Sequence, residues 1–192
     1  MISDLDRSIR LLLEAAAPEG SELGEATISF EVPDAEWRAG LQDLTLSCYL
    51  YRISENRALR RGATPAPIDC AYCITAWSLD AGAASSEEHR LLSQVLGAVL
   101  RHRTRPPEFL WDGLDRPPVP APVVTLLSEE MATPVEYWGA LDHAVKPSLN
   151  CVFTLAMSPL GQAPPEPAPP VDSISVDVTP VALRRAGSAP SR

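Results

Sequence analysis

Cys70 and Cys73 form the spacing in this chain that most resembles a reactive or metal-binding pair. A CxxC can supply half of a zinc site or run thiol–disulfide exchange. Zinc, however, needs a second pair or histidines at short spacing. Neither accompanies it, and Cys48 and Cys151 stand alone. A separation of three within a strand also sends the two side chains to opposite faces. Core packing is therefore the expected role of all four cysteines. His89 lies beside Glu87 and Glu88, and His143 follows Asp142. No serine carries the glycine-flanked elbow that a Ser–His–Asp device requires, so these and His102 are expected on the surface. Glycine-rich phosphate cradles and dinucleotide fingerprints are missing. Glu129 and Glu130 read as a solvated pair. No catalytic, cofactor-binding or metal-binding residue is assigned, and the expected chemistry is recognition. Arg57, Arg60 and Arg61 stand in a polar stretch, either solvated or set against an acidic partner. Ile174, Val176 and Val178 alternate with polar residues like a small strand. These two groups are the candidate partner-binding residues.

The chain that must position them has 192 residues, 45% hydrophobic and 21% charged, enough for one domain with an appendage. Its net charge of −9 argues against binding nucleic acid, whose phosphates require a surplus of Lys and Arg. Lys146 is the only lysine. An arginine bias suits protein interfaces, and a G+C-rich gene produces the same bias. No apolar run approaches the ~20 residues of a membrane span. Acids interrupt the segment from Met1 to Glu14, unlike a signal peptide. The protein is expected to be made and kept in the cytoplasm, with reduced cysteines.

Apolar periodicity predicts a helix from Ser3 to Ala17, capped by Ser3, with Leu5, Ile9, Leu12 and Leu13 on one face. Strands are predicted over 27–32, 44–52 and 69–79. In the second, Leu46, Cys48 and Leu50 make one apolar face; in the third, both faces are at least half buried. A turn or hairpin loop fits Ser54 to Gly62. Ser85 and Glu88 have capping-box spacing before a helix to about Arg103. Its apolar stripe includes Leu91, Val95, Val99 and Leu100. Residues 111–122 are proline-rich, and 123–127 reads as a brief strand. A short helix opens at Thr133-Pro134 and is anchored by Tyr137, Trp138 and Leu141. Asn150 to Met157 alternates as a final strand. This order predicts an α+β fold: a mostly antiparallel sheet with helices packed on one face, plus an extended C-terminal arm. The domain is expected to span 1–159. Residues 160–192 then form a linker stiffened by Pro164, Pro165, Pro167, Pro169 and Pro170, with a short docking strand.

Several segments, in order, resemble the cap or tail-terminator family of extracellular contractile injection systems, which includes the cap of the antifeeding prophage. They are Ile2-Ser3-Asp4-Leu5-Asp6, Ile28-Ser29-Phe30 before Pro33, and Leu50-Tyr51-Arg52-Ile53-Ser54-Glu55-Asn56 with Leu59-Arg60. Tyr72-Cys73-Ile74-Thr75-Ala76-Trp77, Glu87-Glu88-His89-Arg90-Leu91-Leu92, Tyr137-Trp138-Gly139-Ala140-Leu141 and Lys146-Pro147-Ser148-Leu149 follow. Asp142-His143-Ala144 departs from the pattern, and the arm lies outside it. The resemblance implies a cyclic homo-oligomer, expected to be a hexamer, seated on the inner tube protein and touching the sheath protein. It implies no catalytic residue and no cofactor. It makes a sheath subunit the expected acceptor of the docking strand. It also implies cytoplasmic assembly into a particle that can be released. The alternatives are a neck or head–tail connector of a true phage, and a small cytosolic enzyme or metal-binding protein.

Overall fold

A computed structural model describes residues 2–60, 66–80, 82–101, 125–126 and 135–157. Helix α1 (Ile2–Ala16) buries Leu5, Ile9, Leu12 and Leu13, the face that the spacing predicts. Ser3 lies inside this helix and does not cap it. A single turn, α2 (Glu22–Glu25), is capped by Ser21, whose Oγ accepts the Gly24 N–H at 3.2 Å. Strand β1 (Thr27–Ser29) is shorter than expected, because the chain turns into α3 (Ala35–Ala39). Asp34 caps that helix, accepting the Trp37 N–H at 2.8 Å.

β2 (Thr45–Glu55) and β3 (Ala66–Trp77) form a long antiparallel hairpin, and β5 (Leu149–Met157) lies along the other side of β3. With β4 (Thr125–Leu126), the sheet order is β1-β2-β3-β5-β4. β1 pairs in parallel with β2 and the remaining neighbours are antiparallel, so the sheet is mixed. The fold is α+β, as the element order implied.

Alternation assigns each strand residue to one of two cores. Leu46, Cys48, Cys70, Tyr72, Ile74, Cys151 and Phe153 point into the main core with α1 and α4 (Ala84–Arg101). α4 contributes Leu91, Leu92, Val95, Ala98 and Val99. Leu100, expected in that stripe, is 51% exposed, since one residue past Val99 rotates it about 100° off the buried line. The opposite face of the sheet carries a second, smaller core of Cys73, Trp77, Trp138 and Leu141, with Trp37, Leu41 and Tyr51 packed on it. Trp138 belongs to α5 (Val135–Ala140). The two long helices share one face, and the second face is partly covered as well.

The capping box predicted at Ser85 and Glu88 does not form. Ser85 is already helical, and Asp80 serves the helix start instead, its Oδ1 accepting the Gly82 and Ala83 N–H groups at 2.8 and 3.2 Å. Glu88 turns inward, accepting the Ser78 N–H at 3.1 Å and pairing with Lys146. α2 is tied to α4 through Glu22, which accepts from Arg90 and from the Gln94 amide. The Arg90 hydrogen bond, with help from Glu22's own backbone and Gln94, holds the Glu22 carboxyl down to about 2.

Candidate interaction surface

The segment that follows β2 carries Arg57 and Arg60, and a part-buried polar network ties it to β3 and β5. The Asn56 side-chain amide donates to both Asp69 oxygens at 3.2 and 3.0 Å, while Thr154 donates to Asp69 Oδ1 at 2.7 Å. Asn56 Oδ1 accepts the Leu59 N–H at 3.1 Å, and the Asn56 N–H reaches the Pro67 carbonyl at 2.8 Å. Three segments of chain are thereby clamped at one carboxylate. Such charge-assisted bonds hold Asn56 and the residues just after it against the sheet. Arg57 and Arg60 are exposed on this turn, and Arg60 pairs with Glu55 at 2.7 Å. An exposed pair of this kind is worth about 0–1 kcal/mol. Arg61 lies outside the described residues, as do Ile174, Val176 and Val178. Arg57 and Arg60 thus lie on the turn that follows β2. The structure also adds Asn56, Asp69 and Thr154, which the sequence reading missed. The available signal was Asp69 itself, a carboxylate set between Ile68 and Cys70 in a strand, where a partner is required.

On the second face, Trp77 is the hub of the small core. Trp37 meets it edge-on at 5.9 Å, Arg38 lies 5.7 Å from its ring centroid and Lys146 4.8 Å. His143 packs on Trp77 at 5.0 Å and on Trp138 at 5.9 Å, so it is half-buried and not the open surface histidine expected. Arg38 donates to the Leu141 carbonyl at 2.9 Å and to the Asp142 carbonyl at 3.2 Å, closing α3 onto the turn after α5. His89 is exposed, and His102 lies outside the described residues with Glu129 and Glu130.

The CxxC is divided by the sheet. Cys70 belongs to the main core and Cys73 to the second, so the thiols cannot converge on one ion. Burial pushes the Cys70 thiol up to about 11 and that of Cys151 up to about 12, away from the thiolate needed for redox or metal chemistry. Among the described residues no histidines, cysteines and acids gather as a metal site. Replacing Cys70 and Cys73 together by alanine is expected to cost roughly 1–3 kcal/mol of packing. Chemical denaturation would measure that loss, and stoichiometric zinc in the purified wild type would refute the packing role.

The family profile of the Pvc16 N-terminal domain matches residues 4–173. The chain belongs to that family. Its fold is similar to the PVC sheath/tube terminator of an extracellular contractile injection system, solved in the extended state, with a TM-score of 0.60 and 21% identity. That match covers 95% of this chain and 64% of the terminator. The tube-terminating cap of the anti-feeding prophage matches with a TM-score of 0.57 and 22% identity, over 93% of this chain and 62% of the cap. This Pvc16-type domain thus spans under two thirds of the length of either solved protein. No curated protein matches it in sequence. None of its described helices is long and apolar enough to cross a membrane.

Proposed function

We propose that this chain is the structural cap that terminates the inner tube and sheath of a contractile, phage-tail-like injection particle. The observation that carries this reading is the fold it has in common with two terminators over nearly its whole length. Membership of the Pvc16 N-terminal domain family supports it. So does the chemistry: the thiols serve as core, and His143 packs between tryptophans. What remains outside is an arginine-bearing segment after β2, tied to the sheet through Asn56, on an acidic protein. That is a recognition device, and the reading is structural instead of enzymatic.

The partners are the tube protein below and the sheath protein outside, with self-association into a cyclic hexamer. A tube built of identical rings offers equivalent sites around its rim, and a closed cyclic oligomer fills all of them at once. Assembly takes place in the cytoplasm, and the cap leaves the cell with the particle. The test is a deletion strain viewed by electron microscopy. Tubes or sheaths of uncontrolled or unstable length are expected. Uniform particles of normal length would exclude the terminator role.

A further inference from the structure

β2 extends far past the strand that covers it. The β1 ladder reaches only Thr45 to Ser47, whereas β2 runs on to Glu55. Beyond a register shift between Leu50 and Arg52, the segment Arg52–Glu55 is exposed and pairs with β3 on its inner side. On its outer side no strand among the described residues pairs with it. A sheet edge of this kind presents backbone donors and acceptors to an incoming strand.

Side chains at this edge are sorted by face. Ile53 stands opposite Cys70 and Arg52 opposite Ala71, so Ile53 lies on the main-core face and Arg52 on the other. Ile53 is nevertheless 52% exposed, an apolar residue at the rim of a core that stops short of covering it. The segment Ser173–Val178 has the matching pattern. Ile174, Val176 and Val178 alternate with Ser173, Ser175 and Asp177. A strand with its apolar residues on the Ile53 face puts Asp177 on the Arg52 face, joining unlike charges where like charges would be costly.

We propose that the outer edge of β2, Arg52 to Glu55, accepts Ser173–Val178 of an adjacent copy of this chain as an added strand. This rests on the ring described under Proposed function, and it makes the acceptor another cap subunit instead of the sheath. Main-chain bonds supply the affinity and the alternating side chains the register, as in other strand additions. Reach allows it. Met157 pairs with Ala66, at the hairpin end of the sheet, near the Glu55–Ile68 pair. From Ser158 to Asp172 the arm spans roughly 45 Å if extended at about 3 Å per residue. Its own β2 edge is only about 10 Å away, two strand spacings. The stiff run from Pro164 to Pro170 favours carrying the segment outward to a neighbour over folding back across that short gap.

The test is disulfide trapping in particles assembled with the full chain. Two double variants, I53C/V176C and R52C/D177C, probe successive rungs of one antiparallel register, one on each face of the sheet, and the native Cys48, Cys70, Cys73 and Cys151 are buried away from the reagent. After mild oxidation, non-reducing electrophoresis is expected to resolve covalent multimers of this chain, each single variant giving at least tenfold less. An intramolecular crosslink alone, a crosslink to a different protein, or none in either pair would overturn the inference. Micrographs of the same particles separate the two readings. Capped ends without multimers refute strand exchange and leave the terminator role standing. Absence of this chain from particle ends refutes the terminator role, and strand exchange in the ring with it.

Discussion

Raising the pH above 9 is expected to strip this domain of folding stability at ~4 kcal/mol per pH unit. The cause is thiols kept neutral in the main core. An ordinary cysteine here ionises near 9.0, but burial pushes Cys70 up to about 11 and Cys151 up to about 12. Cys48 moves in the same direction, again chiefly through burial, with Cys151 adding to it. Between pH 9 and 11 the unfolded chain releases these protons and the native chain retains them. Fewer protons bound to the unfolded state means stability that falls as pH rises. The contribution is fully present below pH 9 and is lost as the pH passes through the folded values. Each thiol contributes about 1.4 kcal/mol per pH unit in that window. Tyr72, whose hydroxyl burial and the Asp6 hydrogen bond push upward, steepens the fall at its alkaline end. Urea midpoints at pH 8, 9, 10 and 11 would measure the slope. Cys151→Ala should remove about a third of it. A midpoint unchanged to pH 11 would mean that solvent reaches these thiols in the native state.

Removing one carboxylate, with Glu88→Ala, is expected to cost about 3–5 kcal/mol, a large share of the total stability of a domain this size. The side chains of Lys146 and Glu88 are only 13% and 12% exposed. Without Glu88, the Lys146 ammonium is left against the Trp77 ring, 4.8 Å from its centroid, with no opposite charge. The cation–π contact returns no more than about 2 kcal/mol. The Ser78 N–H loses its acceptor at the same time. Replacing both partners, Glu88→Leu with Lys146→Met, should recover most of the loss, because buried charge is then absent and not merely unpaired. A double-mutant cycle read by tryptophan fluorescence in urea separates these terms. A cost below about 1 kcal/mol for Glu88→Ala would assign the pair to the solvated class.

These two effects originate in different levels of the molecule. The thiols were legible beforehand. Cys48 shares a face with Leu46 and Leu50, and Cys70 and Cys73 are an odd number of residues apart, so period-two geometry alone assigns them to faces. The stripes of α1 and of α4 were legible for the same reason. Helix and strand periods are properties of a few consecutive residues, and burying an apolar stripe leaves little freedom in how each element sits. The family, too, was visible as an ordered set of short segments.

The Glu88–Lys146 pair was not legible, and the local sequence pointed elsewhere, to a capping box with Ser85. The partners are far apart in the chain and meet only because β3 ends beside the start of α4 while the turn before β5 passes over both. The clamp of Asn56 and Thr154 on Asp69 likewise requires β5 to lie along β3. The second core, with Trp37, Trp77 and Trp138 drawn from three elements, and the parallel placement of β1 have the same origin. Period fixes which face a side chain takes. Which element arrives opposite that face is decided by the competition among all long-range pairings at once, and only the tertiary structure resolves it.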